Sequence, residues 1–119
     1  MPKFQAYLAA TFLLAVATAA QAQDTREADL RCMAVMAKIN QLPGQGNGLA
    51  SFVGGYYFLG RLQATAPELK LAPSTLEAYG KMSPAEFISE TQRCEQEVQT
   101  NGHALAEIGA AMPKAQPEK

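Results

Sequence analysis

Cys32 and Cys94 each sit in the middle of an apolar stripe with helical spacing, and this coincidence restricts the fold more than any other feature of the chain. In the first stripe Ala28, Cys32, Val35, Ile39 and Leu42 recur in alternating steps of four and three, the period of one α-helical face. In the last, Phe87, Thr91, Cys94, Val98, Asn101, Leu105, Ile108 and Met112 hold the same phase. Two stripes turned to one core bring the two sulfurs together. Only one intramolecular pairing exists for two cysteines, and neither belongs to a CxxC or a CxxCH. The expected Cys32–Cys94 disulfide joins the first helix to the last. It closes a loop of about 60 residues, which the loop-entropy treatment values at about 4 kcal/mol. A domain this small buries only about two thirds of its unfolded surface, so such a staple matters.

A disulfide requires an oxidising compartment, and the N-terminus supplies a route to one. Lys3 is followed by the apolar run AYLAATFLLAVATAA over residues 6–20. Ala20 and Ala22 then satisfy the small-residue rule for a signal-peptide cleavage site. The run is shorter than the ~20 residues a spanning helix needs. The expectation is a cleaved signal peptide at 1–22, a helical domain at 23–112 and a disordered polar tail at 113–119. The product is then periplasmic or secreted, with no stable membrane insertion after cleavage.

The ten basic and eleven acidic side chains are interspersed. Nucleic-acid binding needs Lys and Arg clustered on one surface, so no nucleic-acid partner is expected.

Helix boundaries follow from caps and breakers. Asp24 and Glu27 have the capping-box spacing and open a first helix at about 24–42, which Pro43 and the glycines of GQGNG end. Asn47 caps a second helix running to about Thr65, broken at Pro67. Ser74 and Glu77 repeat the capping-box spacing and start a short helix through about Lys81. Ser83, Pro84 and Glu86 give the strongest start in the chain: a cap, a proline at the first helical position and a glutamate at the third. The stripe after it keeps its phase across Asn101–Gly102, which favours one long helix, bent there if anywhere. No strand-like alternation or internal repeat is present.

The second helix contains the stretch SFVGGYYFLGRL, residues 51–62. Gly55 and Gly60 have the glycine spacing of a phosphate loop. Arg61 and Leu62 stand where that motif needs Lys and Ser or Thr, and bulky residues fill the interval. The stretch therefore reads as a central helix, apolar nearly all round, with another helix approaching closely at Gly54–Gly55. The core reading is favoured for its aromatic residues. The functional alternative makes Tyr56, Tyr57 and Phe58 a binding surface, tyrosine being favoured at interfaces.

Catalytic constellations are thin. His103 and Glu107 form an i, i+4 pair that reads as a solvated surface pair. Glu86, Glu90, Arg93, Glu95 and Glu97 read as a solvated face opposite the apolar stripe, with Arg93–Glu97 a weak i, i+4 ion pair. Cys32, Met33 and Met36 offer soft donors for Cu(I), but Met is an ordinary core filler and a bridged Cys32 is no thiolate. No catalytic residue, metal or cofactor is assigned.

YFLGRL after a glycine-rich stretch, the repeated Arg-Cys pairs at 31–32 and 93–94, and GHALAEIG near the end together resemble a group of short exported helical proteins of Gram-negative bacteria. In layout the chain is loosely similar to the acid-stress periplasmic chaperones, which implies client binding when acid loosens the packing. It is similar in the same gross way to small periplasmic immunity proteins that block secreted toxins.

The combined expectation is an all-α bundle of three long helices and one short one, stapled by one disulfide. The function expected is non-catalytic binding of another protein, of unknown identity, through an apolar and aromatic helical surface. The alternatives are an acid-stress chaperone-like protein and, behind it, a small enzyme or metal-binding protein.

Overall fold

A computed structural model describes the backbone over residues 3–44 and 48–113 and the surroundings of the side chains over 20–44 and 50–113. Four helices follow in order: α1 (Lys3–Gln41), α2 (Gly48–Thr65), α3 (Leu71–Gly80) and α4 (Pro84–Ala111). No strand occurs among the described residues. No helix among them is long and apolar enough to cross a membrane.

The starts of α1 and α3 differ from those expected. α1 does not begin at Asp24 but runs unbroken through it from Lys3. The residues before Asp24 are largely Ala and Leu, which favour helix, so the backbone at Asp24 is already helical and needs no cap. The expected cleavage point after Ala22 lies inside this helix. α3 begins at Leu71 rather than after Ser74, with Lys70 at the cap position and no side-chain cap bond. Pro73 sits in its first turn, where a missing N–H costs nothing. The expected cap Asn47 and residues 114–119 of the expected tail lie outside the described residues.

The other start agrees in detail. The Glu86 amide donates to Ser83 Oγ at 3.2 Å, and the Ser83 amide donates to Glu86 Oε2 at 2.7 Å. This is a complete capping box with Pro84 at the first helical position. α4 then continues unbroken across Asn101 and Gly102.

The hub of the fold is α1, which packs against α2, α3 and α4, while α2 also touches α4. The structure therefore moves the central role from α2 to α1. α2 buries one face only: Phe58 and Leu62 are fully buried, whereas Phe52, Val53 and Tyr56 point outward. Close approach at the paired glycines does occur. A Cβ on Gly54 would lie 2.9 Å from Sδ of Met36 of α1, so the flexible end of that side chain would have to shift to admit one.

The core has two parts. Cys32, Met36, Phe58 and Cys94 form one, flanked by Met33, Tyr57 and Val98. Leu30, Leu62 and Ala78 form the other, flanked by Met33, Leu69 and Leu71. The α4 stripe enters the core only in its first half. Leu105, Ile108 and Met112 keep the helical phase of Cys94 but are exposed, because no neighbouring helix among the described residues covers the end of α4.

Candidate functional site

One interior cluster and one exposed aromatic surface are the candidates. The interior cluster is built where α1, α2 and α4 meet. Cys32 and Cys94 are joined there, their Cα atoms 5.5 Å apart, and both are fully buried. The arginine preceding each cysteine reaches across to the other helix. Arg31 of α1 bonds Glu86 and Glu90 of α4, each at 3.3 Å. Arg93 of α4 donates to the Ala28 carbonyl of α1 at 3.1 Å and approaches Cys32 Sγ at 3.1 Å. Glu90 lies between the two arginines, 2.6 Å from Arg93 Nη2. The repeated Arg-Cys pairs thus form a clamp, with each arginine guarding the bridge from its own helix.

This corrects the expectation of a solvated charged face on α4. Glu95 is exposed, but Glu86, Glu90, Arg93 and Glu97 all make contacts to other helices or to residues that do. The α4 face beside the stripe is turned toward α1 and α2.

Next to the clamp lies Asp29, almost fully buried. Its Oδ1 meets Arg61 Nη2 of α2 at 3.2 Å. Its Oδ2 has no hydrogen-bond partner among the described residues. Arg61 also bonds Glu97 of α4 and donates to the Tyr57 hydroxyl at 2.9 Å, while Asn101 donates to that hydroxyl at 3.0 Å. Burial pushes the Asp29 carboxyl up; Arg61 pulls it down, Glu97 adds to the rise, and Arg93 pulls down in turn. Burial also works against the Arg61 charge, but the Tyr57 hydroxyl, Asp29 and Glu97 outweigh it and hold the guanidinium protonated.

Asp29 and Glu86 respond to acid with opposite sign. Hydrogen bonds from the Ser83 backbone and side chain, then from Arg31, hold Glu86 below the ordinary glutamate range. Its contribution is present above the unfolded value of about 4.3 and is lost as pH falls through the lower folded value. Asp29 is raised, so its contribution is complete below the unfolded value of about 3.9 and is lost as pH rises through the folded value. Asp29 therefore resists acid unfolding and Glu86 promotes it. In urea titrations between about pH 6 and about pH 2, Glu86→Gln is expected to flatten the acid-side loss of stability. An unchanged slope would show that the cap and the Arg31 contact contribute nothing to acid lability.

The three aromatic residues named as a candidate surface are split by the fold. Tyr56 is 61% exposed. Tyr57 is half-buried, with its hydroxyl tied into the Arg61 network. Phe58 is fully buried in the disulfide core and offers nothing to a partner. The outward partner of Tyr56 is instead Phe52, one turn earlier and 51% exposed, its ring centroid 4.8 Å away in an edge-to-face arrangement. Beside this pair runs an open apolar cleft of about 160 Å³ between α1 and α2, floored by Met33, Met36 and Gly55.

The remaining chemical candidates fall where they do little. His103 and Glu107 are exposed on the uncovered end of α4. Donor atoms of Cys32, Glu90 and Cys94 lie within 4.8 Å of one another, but with the sulfurs bonded to each other neither cysteine is a thiolate ligand. Met36 fills the space against Gly54.

Sequence reasoning missed Asp29 and Arg61. The signal was present: an aspartate one turn before Cys32, and the single charge in an otherwise apolar second helix. Comparison with protein-family models, with curated proteins and with solved structures finds no match.

Proposed function

We propose that the protein is a small exported, non-catalytic binding protein that engages another protein through the outer face of α2. The observation that carries this reading is the Phe52–Tyr56 pair, two aromatic rings packed edge to face and left half-exposed or more beside an apolar cleft. Tyrosine and phenylalanine are enriched at protein interfaces, where a large rigid side chain binds at small entropic cost. The cleft is smaller than the roughly 300–1,000 Å³ of ordinary small-molecule sites but admits a single side chain from a partner. Val53, also exposed on α2, extends the apolar surface. Cleavage after Ala22 and release into the periplasm or beyond belong to the same reading, which the disulfide supports.

An acid-stress role is the less supported alternative. Glu86 and Glu77, both held below the ordinary glutamate range, lose their contribution in acid, but both are exposed, and buried Asp29 opposes them.

The test is site-specific photocrosslinking in cell-envelope extract. A benzophenone side chain at position 52 is expected to give one dominant protein adduct. The same group at Gln92, exposed on α4, is expected to give none. No adduct from position 52, or the same mixture from both positions, would overturn the proposal.

A further inference from the structure

Away from α2, the end of α1, the end of α3 and the start of α4 enclose an open apolar groove of about 530 Å³. Leu42, Tyr79, Met82, Phe87 and Ile88 form its walls, and Lys38 is the only charged residue lining it. Tyr79 and Phe87 meet edge to face with centroids 6.2 Å apart. Leu42, Tyr79 and Ile88 remain 40% exposed or more, so the walls are open to an occupant. A second recess of about 230 Å³ lies alongside, and Lys38 and Tyr79 line both.

The position of Lys38 selects the occupant. It makes no ion pair with any carboxylate among the described residues; its ammonium stands 5.8 Å from the centroid of the Tyr79 ring. Every described arginine is matched to an acid and Lys81 pairs with Glu77; Lys70 also has no ion pair among the described residues but lines neither recess. A cation shared by two adjacent apolar recesses complements a molecule with one anionic group and a flexible apolar body. The volume lies within the range of small-molecule sites.

We propose that this groove is a second binding site, for a free single-chain aliphatic carboxylate, with the head group on Lys38 and the chain between Tyr79, Phe87 and Ile88. It is separate from the protein-binding face on α2 and does not depend on that reading.

The test is calorimetric titration of the oxidised protein with dodecanoate below its micellar concentration. One-to-one binding is expected, weakened by about tenfold or more in Lys38→Gln, the loss of one charge-assisted contact. Dodecyltrimethylammonium, with the opposite charge on the same chain, is expected to bind more weakly by at least a similar factor. Ile88→Asp should weaken dodecanoate binding as well. Thermal unfolding of each variant establishes that it is folded, and amide chemical shifts in the wild type should move at Tyr79 and Ile88 on addition of dodecanoate. Absence of binding, equal binding of the cationic amphiphile, or unchanged affinity in folded Lys38→Gln would overturn the proposal. Lys38-dependent sedimentation with phosphatidylglycerol vesicles in the absence of dodecanoate binding would assign the groove to a membrane surface and overturn it too.

Discussion

Replacing Cys32 and Cys94 together by alanine is expected to lower the free energy of unfolding by about 4 kcal/mol, the loop-entropy value for a bridge across 62 residues. Few proteins of this size have that much to spare, since total stability is commonly about 5–15 kcal/mol. The hydrophobic reserve here is small. The largest fully buried apolar side chains besides the cysteines are Phe58, Leu62 and Val35. At about 1.5–3 kcal/mol for each buried side chain of this kind, they cannot replace the staple once chain entropy is charged against them. The bridge also holds α4 to α1, and the Arg31 and Arg93 contacts form only when the two helices are already paired. Alanine keeps the site apolar, so the loss reports the cross-link rather than a buried hydroxyl. Urea titration of oxidised wild type and of C32A/C94A measures the difference. A loss under about 1 kcal/mol would mean that helix packing alone specifies the bundle.

The second large effect is expected at the buried ion pair. Arg61→Leu leaves Asp29 with neither of its oxygens compensated and should cost about 3 kcal/mol, the lower end of the range for breaking a buried pair. The lower end applies because burial already favours the neutral carboxyl of Asp29, and protonation relieves part of the penalty. Removing both charges in Asp29→Leu/Arg61→Leu should restore much of that loss, since two apolar side chains need no partner. The signature is non-additivity: the double variant is more stable than Arg61→Leu alone. Additive costs in the double-mutant cycle would show that the two residues do not act as a pair.

Much of the fold was legible because the signals were local or periodic. The capping box at Ser83–Glu86 needs only neighbours, and α4 begins where it predicts. The phase shared by Cys32 and Cys94 with their stripes placed both sulfurs in the core. Other features depend on partners that one segment cannot reveal. Leu105, Ile108 and Met112 have the period of a buried face, but burial needs a helix to cover them, and none of the described ones does. Phe52 and Phe58 differ little as residues. They lie about six positions apart on a helix with 3.6 residues per turn, and only the location of α1 decides which is core. Glu90 looked solvated because Arg31, its partner, is fifty-nine positions away. Asp29 and Arg61 were harder still, since a charge on an apolar face reads as an exception until its counter-ion is seen.

The disulfide and its ionic clamp tie α1 to α4 without using Phe52 or Tyr56, which leaves the outer face of α2 free for the proposed partner. The most direct test pairs the crosslink from position 52 with the stability of Phe52→Ser/Tyr56→Ser. Unfolding is expected within about 0.5 kcal/mol per substitution of the wild-type value, as for exposed positions, together with failure of the double variant to compete with wild type for the crosslinked partner. A double variant destabilised by about 3 kcal/mol or more, on the scale of core truncations, would show that Phe52 and Tyr56 belong to the core. A stable variant that still competed fully would place the partner elsewhere. Either result would overturn the assignment of Phe52 and Tyr56 to a partner-binding face.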